Sequence, residues 1–365
     1  MILSRFSKPL LYGLMLAAFL IGCAEKDWEG DLKTVGGSPN KQRLYRFLKD
    51  NYGKHIIAGQ MDTSWSDSPS MDMITRVFND VGKYPALKGF DYLHIQNPTW
   101  EGGGSKQTQE AIQWWNNPPI PTKDGRTIHG VVAFCWHWRP GGNGDFYTDK
   151  TSFRIPWKDG KLDKTSAAWK TIMADLDMVA AELQKLEDED IPVLWRPLHE
   201  ASDGWFWWGA SGARPYKALW EFMHDYLTND KGLSNLLWVW NGQSAEWFPN
   251  PSTVEIVGTD IYPNQGDYSA QSDKFYETRD MVPDRNCIVA LTENGEIPDP
   301  ELLSAYQVKW SWFMTWNDKE VEGTNVDNFW SGEYHNTAAH KQKVYNHPYV
   351  LTLDELPDLT RYGSD

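Results

Sequence analysis

Three cysteines in 365 residues are too few for a disulfide scaffold. Cys135 and Cys287 fall in or beside apolar runs and read as small buried hydrophobes, so the fold has to stand on its core. Positive charge is also scarce. The 35 Lys and Arg stand against 50 Asp and Glu, a formal net charge of -15, which argues against a nucleic-acid partner. The longest apolar run, Leu10 to Ile21, is too short to span a bilayer. GxSxG and HExxH are absent, and Gly102-Gly103-Gly104 is followed by neither GKS nor GxxG. Those gaps leave no serine-hydrolase elbow, zinc-peptidase helix or phosphate-cradling turn. His137, His199 and Asp260 are metal-ligand types, but there is no HxH pair on an early strand, so neither metal nor cofactor is expected. No internal repeat is visible.

Aromatic residues, by contrast, are abundant: 14% of the chain, with 21 tryptophans. At the N-terminus, Arg5 and Lys8 precede the short apolar run and then Gly22-Cys23, which is the plan of an export signal. Leu20-Ile21-Gly22-Cys23 resembles a bacterial lipobox, in which the cysteine thiol is lipidated and becomes the new N-terminus. Residues 1–22 are therefore expected to be a signal peptide, Cys23 the lipidation point, 23–39 a polar tether and 40–365 one catalytic domain. The expected location is the bacterial cell envelope, on the periplasmic or outer face of the outer membrane, with the lipid anchor as the sole membrane contact. A monomer is expected.

From Lys41 onward, strand-like and helix-like pieces alternate. Short apolar, β-branched runs at 56–60, 84–93, 130–136, 191–195, 236–240, 254–262, 288–296 and 310–316 read as strands covered on both faces. Helical spacing covers 41–51, 71–81, 110–115, 166–187 and 213–227. In 166–187, Trp169, Ile172, Met173, Leu176, Val179, Ala180, Leu183 and Leu186 recur three and four apart. Eight such strands predict a single (β/α)8 TIM barrel. An open doubly wound sheet would call for the missing glycine-rich turn.

A barrel gathers its strand ends on one face, where barrel enzymes place their chemistry. Here those ends supply Asp91, His137, Arg196, His199, Glu200, Asn241, Asp260, Tyr262, Glu293 and Trp316. Glu200 and Glu293 end the fourth and seventh strands, three apart around a ring of eight. Across the barrel mouth they could stand at the ~5 to 5.5 Å that double-displacement glycoside hydrolysis requires. One would protonate the leaving oxygen while the other attacks the anomeric carbon. Arg196, or a hydrogen bond from Tyr262, could keep one of them ionised. Trp205-Phe206-Trp207-Trp208 is too dense an aromatic run for a solvated loop, and exposed aromatic faces usually bind something flat. Asp203, a third nearby carboxylate, reads as a loop or helix-capping aspartate.

Trp195-Arg-Pro-Leu-His-Glu200 followed by Gly204-Trp-Phe-Trp-Trp-Gly209, with Thr292-Glu293 and Trp312-Phe-Met-Thr-Trp316, resembles glycoside hydrolase family 26, chiefly endo-β-1,4-mannanases. The likeness runs from about Gln42 to Tyr349. It implies Glu200 as acid/base and Glu293 as nucleophile, with His199 in the place that asparagine holds in many related barrel glycosidases. His137, Arg196, Trp205, Asp260, Tyr262 and Trp316 would line the subsite where the bond breaks. The implied activity is a retaining endo-β-1,4-mannanase acting on mannan, galactomannan or glucomannan as polysaccharide or oligosaccharide. The family also contains β-1,3-xylanases and mixed-linkage glucanases. A catalytically inactive carbohydrate-binding lipoprotein on the same barrel would equally account for the tryptophans.

Overall fold

The computed structural model describes residues 35–63, 72–95, 104–142, 144–283, 285–319 and 327–364. Cys23 and the stretch before it lie outside the described residues. Helix α1 (Pro39–Asn51) opens with Ser38 as N-cap, its side chain accepting from the Lys41 N–H, and Pro39 in the first turn. Leu44, Tyr45, Phe47 and Leu48 form its buried face. The Ser38 N–H also donates to the Ser234 carbonyl at 3.0 Å, so the chain is seated on the barrel before the helix begins.

Eight parallel strands follow: β1 (Ile56–Met61), β2 (Leu87–Asp91), β3 (Val131–Cys135), β4 (Val193–Arg196), β5 (Leu236–Trp240), β6 (Ile256–Ile261), β7 (Ile288–Asn294) and β8 (Trp312–Thr315). Each pairs with the next, and β8 pairs with β1 through Ile57 and Trp312, closing the barrel. The strands are buried on both faces, which is why they read as continuous apolar runs. A short strand β9 (Val350–Leu351) adds to the start of β1.

Between strands run α2 (Met73–Val81), α3 (Gly104–Asn116), α4 (Ala167–Glu187), α5 (Ala213–Asp225), α6 (Ser272–Asp280), α7 (Pro300–Ala305) and, after β8, α8 (Ala338–Tyr345). The predicted stripe of α4 is buried except at Met173, which is half-buried at its edge, and Ser166 caps the helix by accepting from the Trp169 N–H. The helix expected over 110–115 starts earlier, at Gly104. The one expected over 213–227 ends its α-helical part at Asp225 and runs on as a π-helical turn, Tyr226–Asp230. Between β5 and β6 only two single 3-10 turns stand where a barrel helix would be. Among the described residues, no helix is long and apolar enough to cross a membrane.

Two departures from regularity shape the barrel mouth. The β6–β7 register shifts between Thr259 and Asp260: Thr259 pairs with Leu291, but Asp260 pairs with Glu293. One extra residue on β7 thus brings an aspartate level with a glutamate, as bulges beside active sites often do. The long connection after β3 folds back so that Tyr147 bridges Phe206, tying it to the loop after β4.

Candidate active site

Strand β4 is regular to Arg196 and then turns sharply. Leu198 (φ 53) and Glu200 (φ 52) both adopt left-handed backbone, on either side of His199. Such conformations cost a non-glycine residue of order 1 kcal/mol each and persist where surrounding bonds over-determine them. The Glu200 N–H donates to the Asn241 carbonyl at 2.7 Å, and Trp208 Nε1 donates to the His199 carbonyl at 2.7 Å. Gly209 is required here, since a Cβ would lie 2.1 Å from the Ala201 carbonyl oxygen. The turn sends the Glu200 side chain into the mouth, where Trp205 Nε1 donates to its Oε2 at 2.9 Å.

Glu293, by contrast, stands within strand β7. Arg196 spans two acids, donating from Nη1 to Asp260 Oδ2 at 3.0 Å and from Nη2 to Glu293 Oε1. The Tyr262 hydroxyl donates to Glu293 Oε2 at 2.6 Å, although 43% of the Tyr262 residue surface is exposed. Asp260 Oδ1 accepts from the Thr292 hydroxyl at 2.6 Å, which in turn accepts from Asn241 Nδ2 at 3.0 Å. One carboxylate oxygen from each of Glu200, Asp260 and Glu293 lies within 4.8 Å of the others.

Burial, then the charges of Asp260 and Glu293, push the Glu200 carboxyl far above the ordinary range. Burial and Asp260 also raise Glu293, but Arg196, the Tyr262 hydrogen bond and His137 pull it back, so it sits lower than Glu200. The expectation that Arg196 or Tyr262 would hold one acid ionised meets both contacts on Glu293. Their pull does not fully offset its desolvation. The site therefore has two carboxyl groups whose environments separate their proton affinities, the arrangement that assigns an acid and a nucleophile.

Beside this network lies a second cluster. Asp91, at the end of β2, accepts from the backbone N–H of His137 at 3.0 Å and pairs with its Nδ1 at 2.6 Å. His137 Nε2 faces His199 Nε2 at 3.3 Å, and the Trp316 ring stands 5.9 Å from that of His137. His199 is wholly buried. Burial, then the charges of Arg196 and His137, hold its imidazole well below the ordinary range. His199 is thus placed behind His137 rather than at the open mouth.

The aromatic run divides. Phe206, Trp207 and Trp208 belong to the core, at 3% exposure or less, whereas Trp205 is 45% exposed. Trp207 and Trp208 turn inward to donate to backbone carbonyls of Trp138 and His199, which leaves Trp205, the member of the run expected at the subsite, as its exposed face. Asp203 caps no helix. It accepts from Gln243 Nε2 at 2.7 Å, and Gln243 Oε1 accepts from the Asp260 N–H at 3.2 Å, linking the loops after β4 and β5 to β6. Gln243 and Thr292 were not among the expected site residues. The positive φ of Gln243 and the register shift that involves Thr292 exist only in three dimensions.

Two described groups carry metal-ligand types: Glu200, Asp260 and Glu293, and Asp91, Cys135 and His137. Within them Arg196 bridges Asp260 and Glu293, Trp205 Nε1 donates to Glu200, and His137 engages Asp91.

The sequence profile described as Glycosyl hydrolase family 26 matches residues 35–355. A mannan endo-1,4-beta-mannosidase of Thermothelomyces thermophilus is 36% identical over 337 residues, covering 89% of this chain and 63% of its own length. Mannan endo-1,4-beta-mannosidase A of Piromyces sp. is 32% identical, over 87% of this chain and 49% of its own. The chain thus spans about half to two thirds of the length of these relatives. Among solved structures, the β-mannanase from a symbiotic protist of the termite Reticulitermes speratus, complexed with gluco-manno-oligosaccharide, superposes with a TM-score of 0.76 at 30% identity. That match covers 90% of this chain and 99% of that one.

Proposed function

This chain belongs to glycosyl hydrolase family 26, and from that premise we propose that it is a retaining endo-β-1,4-mannanase. The observation that carries the reading is the approach, within 4.8 Å, of carboxylate oxygens from the ends of β4 and β7, one in the company of Trp205 and the other held by Arg196 and Tyr262. That close approach suits the ~5 to 5.5 Å of a double-displacement pair better than the ~6.5 to 9.5 Å that an inverting enzyme needs for its water.

In the first half-reaction Glu293 attacks the anomeric carbon while Glu200 gives its proton to the departing glycosidic oxygen. The C–O bond to the leaving sugar breaks and a glycosyl ester forms. In the second, the Glu200 carboxylate takes a proton from water, whose oxygen displaces Glu293. Arg196 and Tyr262 orient the nucleophile and receive its charge again when the ester is released. Trp205 and Trp316 offer aromatic surface to the pyranose C–H faces beside the scissile bond.

Mannose-based substrates are supported by the relatives' activity and by the oligosaccharide in the termite-protist structure. The test is a panel of β-mannan, glucomannan, β-glucan and β-1,3-xylan assayed for reducing ends, with NMR of the first anomer released. Reducing ends from mannan and glucomannan, with retained configuration, are expected. Activity confined to glucan or xylan reassigns the substrate. Retardation by mannan in an affinity gel without any reducing ends reduces the protein to a binding module.

Export with lipidation at Cys23 belongs to the same proposal, motivated by the short apolar run before Leu20-Ile21-Gly22-Cys23. Metabolic lipid labelling in the native host should mark the wild type and not Cys23→Ala. Equal labelling of both sinks it.

A further inference from the structure

Asp91 is buried, at 1% exposure, and is not among the direct partners of either glutamate. Its carboxylate engages His137 twice, through the backbone N–H at 3.0 Å and ring Nδ1 at 2.6 Å. An ionised carboxylate can only accept, so Nδ1 carries its proton and Nε2 is the nitrogen turned toward His199, 3.3 Å away. In the cationic form both ring N–H groups then have an acceptor, Asp91 Oδ2 on one side and His199 Nε2 on the other. The ring is wedged in T-shaped contact with Phe146, His199, Phe206 and Trp316, at centroid distances of 5.0, 4.6, 5.4 and 5.9 Å. It cannot rotate away without displacing core side chains.

The charged and titratable groups around His137 come from several elements. Asp91 and His94 lie on the β2 side, Arg139 on its own loop, Arg196 at the end of β4, His199 beyond it, and Glu293 on β7. Asp91 and Glu293 favour a positive ring and Arg196 opposes it. We propose that Asp91 is a positioning residue that keeps His137 an imidazolium, with His199 as the buried acceptor of its second N–H, so that a fixed positive charge stands within electrostatic reach of Glu293. The role assigned to Glu293 rests on the reading given under Proposed function; the state of His137 does not.

The linkage has a sign. Burial works against charge on His137, but the Asp91 carboxylate outweighs it and raises the imidazole above its ordinary range, and the His137 charge in turn lowers Glu293. Asp91→Asn removes the anion, His137 becomes neutral at lower pH, and Glu293 then holds its proton to higher pH. The acid limb of kcat/KM therefore moves toward higher pH, a change that a packing defect would not produce.

Two measurements decide the matter. In 15N-histidine NMR of the purified wild-type protein, the His137 ring is expected to show both nitrogens protonated at pH 7; a neutral ring there overturns the proposal, whether or not any variant folds. On mannan oligosaccharides, Asp91→Asn is expected to lower kcat/KM by roughly 10-fold or more, since losses of a carboxylate behind a functional histidine range from about 10-fold to about 10⁴-fold. Its acid limb should move upward in pH, and Asp91→Glu should restore part of both. A loss equal at every pH makes Asp91 a merely structural group and overturns the proposal. If the wild type cleaves no β-glycan, the functional reading fails while the NMR arm still decides the state of His137.

Discussion

The ends of β4 and β7 each present a glutamate to the barrel mouth, yet they do so by opposite means. Glu293 keeps extended strand backbone and is surrounded by donors, with Arg196 on one oxygen and the Tyr262 hydroxyl on the other. Glu200 lies beyond the last β4 residue, on left-handed backbone, where the Trp205 indole donates to its carboxyl group. Desolvation acts on both, but compensation is concentrated at β7. One residue type at two equivalent strand ends thus acquires different proton affinities through the donors its neighbours aim at it, and the proposed acid and nucleophile roles rest on that difference.

The largest effect expected from breaking that asymmetry is on turnover. Glu293→Ala should lose roughly 10⁵-fold or more in kcat on any glycoside, because the covalent route is gone. Glu200→Ala should lose roughly 10²- to 10⁴-fold on polysaccharide, the span of general-acid catalysis, while keeping a fast first step on a dinitrophenyl glycoside whose leaving group needs no proton. Azide should then rescue Glu200→Ala as the β-azide. If azide instead gives the β-product with Glu293→Ala, the two roles are exchanged.

A smaller effect sharpens the comparison through stability. A carboxyl raised in the folded state is at no disadvantage below the ordinary carboxyl pKa of about 4.3, where both states hold the proton. It loses stability relative to the unfolded chain as pH rises from that ordinary value up to the folded one. Glu200→Gln removes that loss. It should be more stable than wild type at pH 7 by on the order of 1 kcal/mol, roughly 2 °C in Tm, with the gain vanishing below about pH 4. Glu293→Gln should gain less, since it gives up the Arg196 pair and the Tyr262 bond along with the charge. Equal gains at the two positions across pH would show that the donors around Glu293 do not differentiate it.

Much of this was legible in the chain. Strands buried on both faces must be apolar throughout, so all eight could be found from composition and punctuation, and a closed ring of eight places the fourth and seventh ends across one mouth. Charged and polar residues that interrupt such runs at their C-terminal ends are costly unless used or paired, which is why Glu200, Glu293, Arg196, Asp260 and Tyr262 stood out in one dimension. The burial stripe of α4 was equally plain, because a helix against a barrel has to repeat every three to four residues.

What only the tertiary structure decided is how those side chains are shared out. Sequence spacing alone does not separate Trp205 from Trp207 and Trp208; the turn at Leu198 to Glu200 does, by facing one indole to the mouth and burying the others. The level pairing of Asp260 with Glu293 depends on a one-residue register shift. The reach of Asp203 through Gln243 and of Asp91 through His137 to His199 joins residues that lie on different strands or their following loops. Periodicity reports which face of an element is apolar, because burial repeats with the backbone. Hydrogen-bond partners across a barrel obey no period, since each depends on where several strands end in space.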